Sequence, residues 1–259
     1  MSEPILRLTD VGKLFRIYKV KKTLFRLTDS LARRLPLSES FWALKNISME
    51  VRRGEKIALI GRNGAGKTTL FRLASGIYSP TEGSIEARTP VWPLFRYGTG
   101  MNYHMSVCDN IFLIGAFYGL SVEEVKNKME EILAFSELEN FLFLPVKNLS
   151  AGQVVRMSFS IFIQNRENFL AFDESAAMAD IPFQKKMQAY FGSLMADESK
   201  TVLMASHSLD DLKKYCRTAI WLEKGRIIKT GPVNQIADDY KKFCANLEEP
   251  ARVLETGTG

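Results

Sequence analysis

Cysteine and long apolar runs are scarce in this sequence, and each shortage excludes a class of protein. The three cysteines, Cys108, Cys216 and Cys244, are odd in number and far apart, which argues against a disulfide framework and shows no metal-ligand spacing. No apolar run approaches the roughly 18 residues of a membrane-spanning helix, and the first residues lack the pattern of a secretory signal peptide. We therefore expect a soluble protein with reduced cytosolic thiols, which works at a membrane only through a partner.

The overall composition is that of a globular protein. Hydrophobic residues make up 46% and charged residues 25%, which excludes wholesale disorder. A length of 259 residues suits one large α/β domain, or a core with a smaller lobe. The net charge of +6 is mild and suits an acidic partner, such as a nucleotide or an anionic membrane surface, without requiring nucleic acid.

A phosphate-binding motif is present at residues 56–75. The apolar run Lys56 to Ile60 predicts a buried strand, G-R-N-G-A-G-K-T then fits G-x-x-x-x-G-K-[ST], and helical spacing follows. In that context the loop N–H groups and the helix N-terminus converge on phosphate oxygens, with Lys67 near the β- and γ-phosphates and the Thr68 hydroxyl near Mg²⁺. A glycine-rich turn that binds nothing is the alternative, and the Lys-Thr pair argues against it. The predicted nucleotide contacts are Gly61, Arg62, Asn63, Gly64, Ala65, Gly66, Lys67, Thr68 and Thr69.

The alternation of strands and helices is interrupted once. Ser106 predicts the start of one helix, and Ser121 with Glu124 forms a capping box for a second. An apolar helix then opens at residues 150–152. We predict a single domain over 1–247, built from a core at about 1–87 and 166–230, an inserted helical lobe at about 88–165, and a frayed tail at 248–259.

Two carboxylates and a histidine follow buried strands beyond this lobe. Asp173 and Glu174 come after F-L-A-F, and His207 comes after the next apolar strand. Adjacent carboxylates on a turn usually only interact with solvent, and a histidine after a strand usually has a structural role. Their place downstream of a phosphate loop favours a functional role instead.

Five features now stand in fixed order: Gly61–Thr68, the L-S-A-G-Q of Leu149–Gln153, Asp173-Glu174, Asp180 and His207. The signature serine lies 23 residues before Asp173, and His207 lies 34 after it. This arrangement resembles the ATP-binding cassette (ABC) family over about residues 4–247. The resemblance implies an α/β fold: an ABC-type P-loop NTPase core with an antiparallel β subdomain and an inserted α-helical subdomain. It also implies an ATPase that uses ATP and Mg²⁺.

The resemblance also implies a role for each feature. Lys67, Glu174 and His207 correspond to the catalytic residues, with Glu174 as the general base and His207 as a γ-phosphate contact. Thr68 and Asp173 correspond to the Mg²⁺ ligands.

The signature residues point to a second subunit. Ser150 and Gly152 match the family's signature, which faces the nucleotide of the other subunit, so that a homodimer sandwiches two ATP molecules head to tail. Asp180 matches the aspartate that crosses that interface, although an exposed aspartate also has an ordinary surface role.

The sequence departs from the family pattern in one place. No glutamine occurs between Thr68 and Gln153, so the family's usual Mg²⁺- and water-contacting glutamine is absent, its place falling near Arg96 or Tyr97. For the aromatic residue that normally stacks on adenine, strand position favours Phe15, with Tyr18 second.

Several segments look like the ATP-binding subunits that export capsular polysaccharide, O-antigen and teichoic acid, which also replace that glutamine. They are F-W-A-L-K-N-I-S, V-W-P-L, D-N-I-F-L, L-P-V-K-N-L-S and K-Y-C-R-T-A-I-W-L-E-K-G. This resemblance implies a peripheral subunit at the cytoplasmic face of the inner membrane, driving a separate permease whose helix docks near Arg96, Tyr97 and Gly98. The alternatives are another cargo, such as a lipid or drug, or a soluble non-transport ABC protein.

Residues 19–36 carry basic side chains around a leucine stripe that Pro36 ends. The stripe is Leu24, Leu27, Leu31 and Leu35. A short cationic amphipathic helix of this kind is typical of a membrane interface, and a surface helix that packs its leucines on the domain is an equal alternative.

Overall fold

The computed structural model of this chain describes residues 3–18, 38–94, 98–164, 167–173, 180–206 and 208–252. Some predictions therefore lie outside the described residues. They are the basic segment 19–36, Arg96, Tyr97, Glu174, His207, the residues 253–259 of the tail, and the side chains of Tyr18 and Asp173.

The described residues form nine strands and seven α-helices. The strands are β1 (Leu6–Tyr18), β2 (Ser38–Val51), β3 (Lys56–Ile60), β4 (Glu82–Ala87), β5 (Trp92–Leu94), β6 (Phe169–Asp173), β7 (Thr201–Ala205), β8 (Thr218–Glu223) and β9 (Arg226–Pro232). The helices are α1 (Lys67–Ala74), α2 (Val107–Phe117), α3 (Val122–Ser136), α4 (Ala151–Phe162), α5 (Ile181–Ala196), α6 (Leu209–Tyr215) and α7 (Val233–Arg252).

A small antiparallel sheet has the order β2-β1-β4. Leu6, Leu8 and Val11 of β1 are buried, and they pack with residues of β2 and of α1 in one apolar cluster. The pairing of β1 with β2 sets Phe15 opposite Phe41, after three register irregularities between Leu8 and Leu14. This sheet is the antiparallel subdomain that the family resemblance implies.

The larger sheet has the order β5-β6-β7-β3-β8-β9, parallel except for β9. Strand β3 lies inside it, and four of its five residues are buried, as expected for a strand covered on both faces. In register, Leu59 lies opposite Ala205, and Ala205 lies opposite Asp173. The ends of β3, β7 and β6 therefore meet at one edge of the sheet, where ligands bind in open α/β sheets.

The helices of the lobe begin where the capping residues predict. Ser106, Ser121 and Ser150 each accept a hydrogen bond from the backbone N–H three residues on, and each forms a reciprocal capping box. Trp92–Leu94, inside the segment predicted as the helical lobe at about 88–165, forms β5, which pairs with β6 in the large sheet. Local patterns cannot indicate a three-residue strand whose partner lies so far along the chain. The large sheet therefore includes Trp92–Leu94, and the first helix of the lobe begins only at Val107.

The last helix, α7, extends beyond the predicted end. It continues to Arg252, so the first residues of the tail predicted at 248–259 are helical. None of the helices in the described ranges combines the length and the apolar character that a membrane span requires.

Candidate active site

The loop between β3 and α1 has a backbone that only glycine adopts easily. Gly64 has φ 80° and Gly66 has φ 109°, both in the left-handed region. A Cβ atom on Gly66 would lie 2.6 Å from Cδ2 of Leu44 and 2.9 Å from the Ala43 carbonyl oxygen, whereas one on Gly64 would meet nothing within 4 Å. The two glycines are thus required for different reasons, conformation alone at Gly64 and conformation plus close packing at Gly66.

This difference predicts unequal effects of alanine at the two positions. Gly66→Ala should lower the free energy of unfolding and weaken ATP binding at least tenfold, because β2 must move away from the loop. Gly64→Ala should cost only about 1–2 kcal/mol of backbone strain. Thermal unfolding and nucleotide titration of both variants measure the two effects, and equal losses would contradict this explanation.

The N-terminus of α1 differs from those of the helices that follow it. Helices α2 to α6 are capped by a serine or aspartate side chain, whereas the N-cap of α1 is Gly66, which has no side chain to accept its N–H groups. The first turn contains no acidic residue. The positive end of the helix dipole therefore faces the loop, which favours an anion there.

Lys67, the first residue of α1, folds back over the loop. Its ammonium donates to the Gly61 carbonyl oxygen at 2.6 Å and to that of Arg62 at 3.2 Å. The positive charge is thus held above the loop N–H groups, where phosphate oxygens would lie.

A cleft of about 500 Å³ opens beside this loop. Three chain segments form it, and two backbone hydrogen bonds join them: Gly225 N–H donates to Ala65, and Lys45 N–H donates to Gly225. The lining residues are Phe41, Trp42, Ala43, Asn63, Gly64, Ala65, Gly66, Lys67, Thr68, Thr69, Lys224 and Gly225. The predicted contacts Asn63 to Thr69 are therefore brought together, and Gly61 and Arg62 join them through Lys67.

Two aromatic residues line the cleft, and the sequence indicated neither of them. Phe41 is 48% exposed and lines the cleft with Trp42. Phe15 stacks on Phe41 with ring centroids 5.7 Å apart, and Tyr78 packs edge-on against Phe15. Phe15 therefore contacts Phe41, which lines the cleft, but is not itself among the lining residues. Phe41 lies near the start of β2, and only the register between β1 and β2 reveals its pairing with Phe15.

The signature residues lie on a separate element. Ser150 caps α4 and is exposed, and Gly152 follows in the first turn. Neither of them lines the cleft beside the phosphate loop. The part of the chain that the structure describes thus gives Ser150 and Gly152 no role toward that loop within one subunit.

Asp180 is held by a network of charges between the lobe and the core. It caps α5 by accepting from the N–H of Phe183, and its carboxylate pairs with Arg156 of α4. Arg156 also pairs with Glu137, which Lys186 contacts at 2.8 Å. The Phe183 N–H and the Arg156 guanidinium lower the pKa of Asp180. Asp180 therefore stays ionised and is linked to the helix that begins with the signature.

Of the remaining predicted residues, the structure describes only the backbone of Asp173. The backbone of Asp173 ends β6 beside Ala205, level with the end of β3. Glu174 and His207 lie outside the described residues, directly after Asp173 and Ser206. A glycine cradle, an uncapped helix N-terminus and a lysine fit a nucleotide phosphate group, and Thr68 and Asp173 are residues with the hydroxyl and carboxylate oxygens that Mg²⁺ prefers.

Comparison with known proteins settles the family. The family model described as ABC transporter matches residues 44–177, just over half of the chain. The chain belongs to the ABC transporter family. Proteins of this family bind and hydrolyse ATP, and this chain is accordingly an ABC-type ATPase.

Relatives of this ABC ATPase cover nearly its whole length. The ABC transporter protein AbcA of Aeromonas salmonicida is 35% identical over 100% of this chain and 84% of its own. The O-antigen export system ATP-binding protein RfbB of Klebsiella pneumoniae is 32% identical over 94% of this chain and 100% of its own. The teichoic acids export ATP-binding protein TagH of Lactococcus lactis is 34% identical over 89% of this chain, which spans 49% of that longer protein.

Solved structures confirm the predicted fold. The dimeric ATP-binding cassette MJ0796 bound to ADP and Pi is similar with a TM-score of 0.67, 20% identity, and coverage of 88% of this chain and 98% of that one. CbiO1 of Clostridium perfringens is similar with a TM-score of 0.60 and 21% identity over 98% of this chain and 100% of its own. At these identities the likeness concerns the fold alone.

Proposed function

We propose that this chain is the ATP-hydrolysing subunit of an exporter for a cell-surface polysaccharide of the capsule, O-antigen or teichoic acid type, with a lipid-linked cargo. The observation that carries the proposal is the similarity to O-antigen and teichoic acid export ATP-binding proteins along 94% and 89% of the chain. The phosphate-loop cleft supplies the ATP site that such a subunit requires.

The residues of the chain divide the work of hydrolysis as follows. The loop N–H groups and Lys67 bind and orient the β- and γ-phosphates. Glu174 takes the proton of the attacking water, and His207 holds the γ-phosphate. Mg²⁺, which when bound neutralises the phosphate charge, would be held by Thr68 and Asp173.

Two such subunits are proposed to act as a head-to-tail dimer. Ser150, exposed at the start of α4, and the half-buried Gly152 would contact the nucleotide held by the phosphate loop of the other subunit, and this contact accounts for their absence from their own cleft. Asp180 would cross the same interface beside Ile181, whose side chain is 70% exposed. Each ATP would then need both chains.

The proposed permease has an apolar surface to dock on. Tyr103, Met105, Phe143 and Leu144 are between 37% and 82% exposed. Backbone hydrogen bonds from Val146 to Met105 and from Lys147 to Tyr103 hold their two segments side by side. We call these four residues the apolar patch. An exposed apolar cluster is typical of a partner site.

Binding to a permease would also place the subunit peripherally at the cytoplasmic face of the inner membrane. Residues 19–36 would then lie against the anionic lipids of that membrane.

The cleft predicts which aromatic ring contacts adenine. Phe41→Ala should weaken ATP binding roughly tenfold, because a stacked base is worth about 1–3 kcal/mol, and Phe41→Trp should preserve binding. Phe15→Ala should weaken it less, since Phe15 supports Phe41 from behind. Titration with a fluorescent ATP analogue measures both. A larger loss for Phe15→Ala would instead make Phe15 the stacking residue, as the sequence alone predicts.

The transport proposal is tested in the native membrane. The tagged chain is cross-linked and purified with its membrane partner, and the complex is expected to hydrolyse ATP faster than the isolated subunit. Cells carrying Lys67→Ala should lose surface polysaccharide and accumulate the lipid-linked form inside. Normal surface polysaccharide together with the loss of another exported compound would contradict the proposed cargo.

A further inference from the structure

The loop that joins β5 to α2 carries half of the apolar patch, and α2 holds it in shape. Asn110 of α2 is fully buried, and its side-chain nitrogen lies within 3.2 Å of the carbonyl oxygens of Asn102, Met105 and Ser106. Its side-chain oxygen accepts from the Asn102 N–H at 2.8 Å. The segment 102–106 is therefore fixed as one unit, so that a force on Tyr103 or Met105 moves the whole of this segment.

The same loop is tied to α4. The N–H of Gly98 donates to Oγ of Ser158 at 3.0 Å, and that hydroxyl donates to the Val154 carbonyl at 2.8 Å. A Cβ atom on Gly98 would lie 2.8 Å from the Tyr103 hydroxyl oxygen and 3.3 Å from Cγ1 of Val154. The loop backbone, the tyrosine of the apolar patch and α4 thus meet at Gly98.

The first turn of α4 is the signature. Ser150 caps the helix, and Ser158 lies two turns further along it. An α-helix of this length moves as a rigid element, so a displacement at Ser158 is also a displacement at Ser150. No glutamine occurs between Thr68 and Gln153, so no glutamine from this loop reaches toward nucleotide. Among the described residues, the loop is joined to the signature segment by the backbone bonds of Val146 and Lys147, and to α4 itself by the Gly98–Ser158 bond.

We propose that Ser158 is a positioning residue that transmits movement of the partner-bound loop to the signature serine. The inference rests on the proposed function, because it takes the partner on the apolar patch to be the permease and Ser150 to contact nucleotide. Docking of the permease at Tyr103 shifts the loop, and the Gly98–Ser158 hydrogen bond transmits that shift to α4. Ser150, at the start of α4, then moves toward or away from the nucleotide of the other subunit. Ser158 acts only through these groups and touches no reacting atom.

The chain offers a matched control for this proposal. Ser160 lies on the same helix, is fully buried, and donates to the carbonyl of Arg156, four residues before it, as Ser158 donates to Val154. Ser158→Ala and Ser160→Ala each remove one such bond, but only the first removes the acceptor for Gly98. In the isolated subunit, we expect Ser158→Ala to speed amide hydrogen exchange at Gly98 about tenfold, and Ser160→Ala to leave it unchanged.

The decisive measurement is ATP hydrolysis with and without the co-purified permease. We expect Ser158→Ala to keep the basal rate within about twofold and to lose most of the permease stimulation. Ser160→Ala and the hydroxyl-retaining Ser158→Thr should keep both.

Four results would overturn the proposal. Full stimulation of the Ser158→Ala complex, or equal loss in Ser160→Ala, would show that the hydrogen bond transmits nothing. A loss of basal rate as large as the loss of stimulation would make Ser158 a structural residue. An unstimulated wild-type complex would instead remove the proposed function, and this inference with it.

Discussion

Lys67→Ala is expected to weaken ATP binding by roughly 100-fold. The ammonium of Lys67 now lies against two carbonyl oxygens of the phosphate loop, at 2.6 and 3.2 Å, and a phosphate group would replace those contacts with charge-assisted ones. Each such hydrogen bond contributes about 1.5–3 kcal/mol, so losing one or two of them accounts for that factor. Isothermal titration with ATP measures the change directly.

Lys224 provides the comparison for this prediction. It lines the same cleft from the turn between β8 and β9, but its side chain is exposed. An exposed charge contributes little, so Lys224→Ala should weaken binding by less than about threefold. If both variants lose the same affinity for ATP, the overall positive charge of the cleft binds the phosphates, and the specific role proposed for Lys67 is wrong.

Glu174→Gln is expected to leave ATP binding intact and to slow hydrolysis roughly 10²-fold or more. Glutamine has the shape of glutamate but cannot take a proton from the attacking water, and loss of a general base has an effect of this size. ATP should then accumulate unhydrolysed between two subunits, and light scattering with ATP should show a dimer. Hydrolysis at the parent rate would make another group the base.

Ser150→Arg in the same protein should abolish that dimer while each monomer still binds ATP. The arginine would occupy the place of the nucleotide held by the other subunit. It would also remove the capping box with Gln153, so the loss of the cap needs a control. Ser121→Arg provides it, because Ser121 is an exposed N-cap with the same reciprocal box, to Glu124, at the start of α3. A dimer lost in both variants would indicate a damaged lobe, and one retained in Ser150→Arg would contradict the sandwich.

Local elements of this protein could be predicted from the sequence because their causes are local. The strand, loop and helix around Gly61–Thr68 follow from apolar periodicity and glycine positions within about twenty residues. Ser106, Ser121 and Ser150 cap their helices as predicted, since a cap depends on a side chain and an N–H only three residues apart. The order of the motifs also indicated the ABC family, which the family match confirms.

The tertiary structure alone decided which residues complete the site. Phe41 lines the cleft, with Phe15 behind it, because of three register irregularities in β1. A one-residue slip turns a side chain to the other face of a sheet, so no pattern within β1 fixes this choice. The Gly98–Ser158 bond and the Arg156–Asp180 pair likewise join residues 60 and 24 positions apart. Such contacts depend on how whole elements pack, and the sequence around each residue carries no information about that packing.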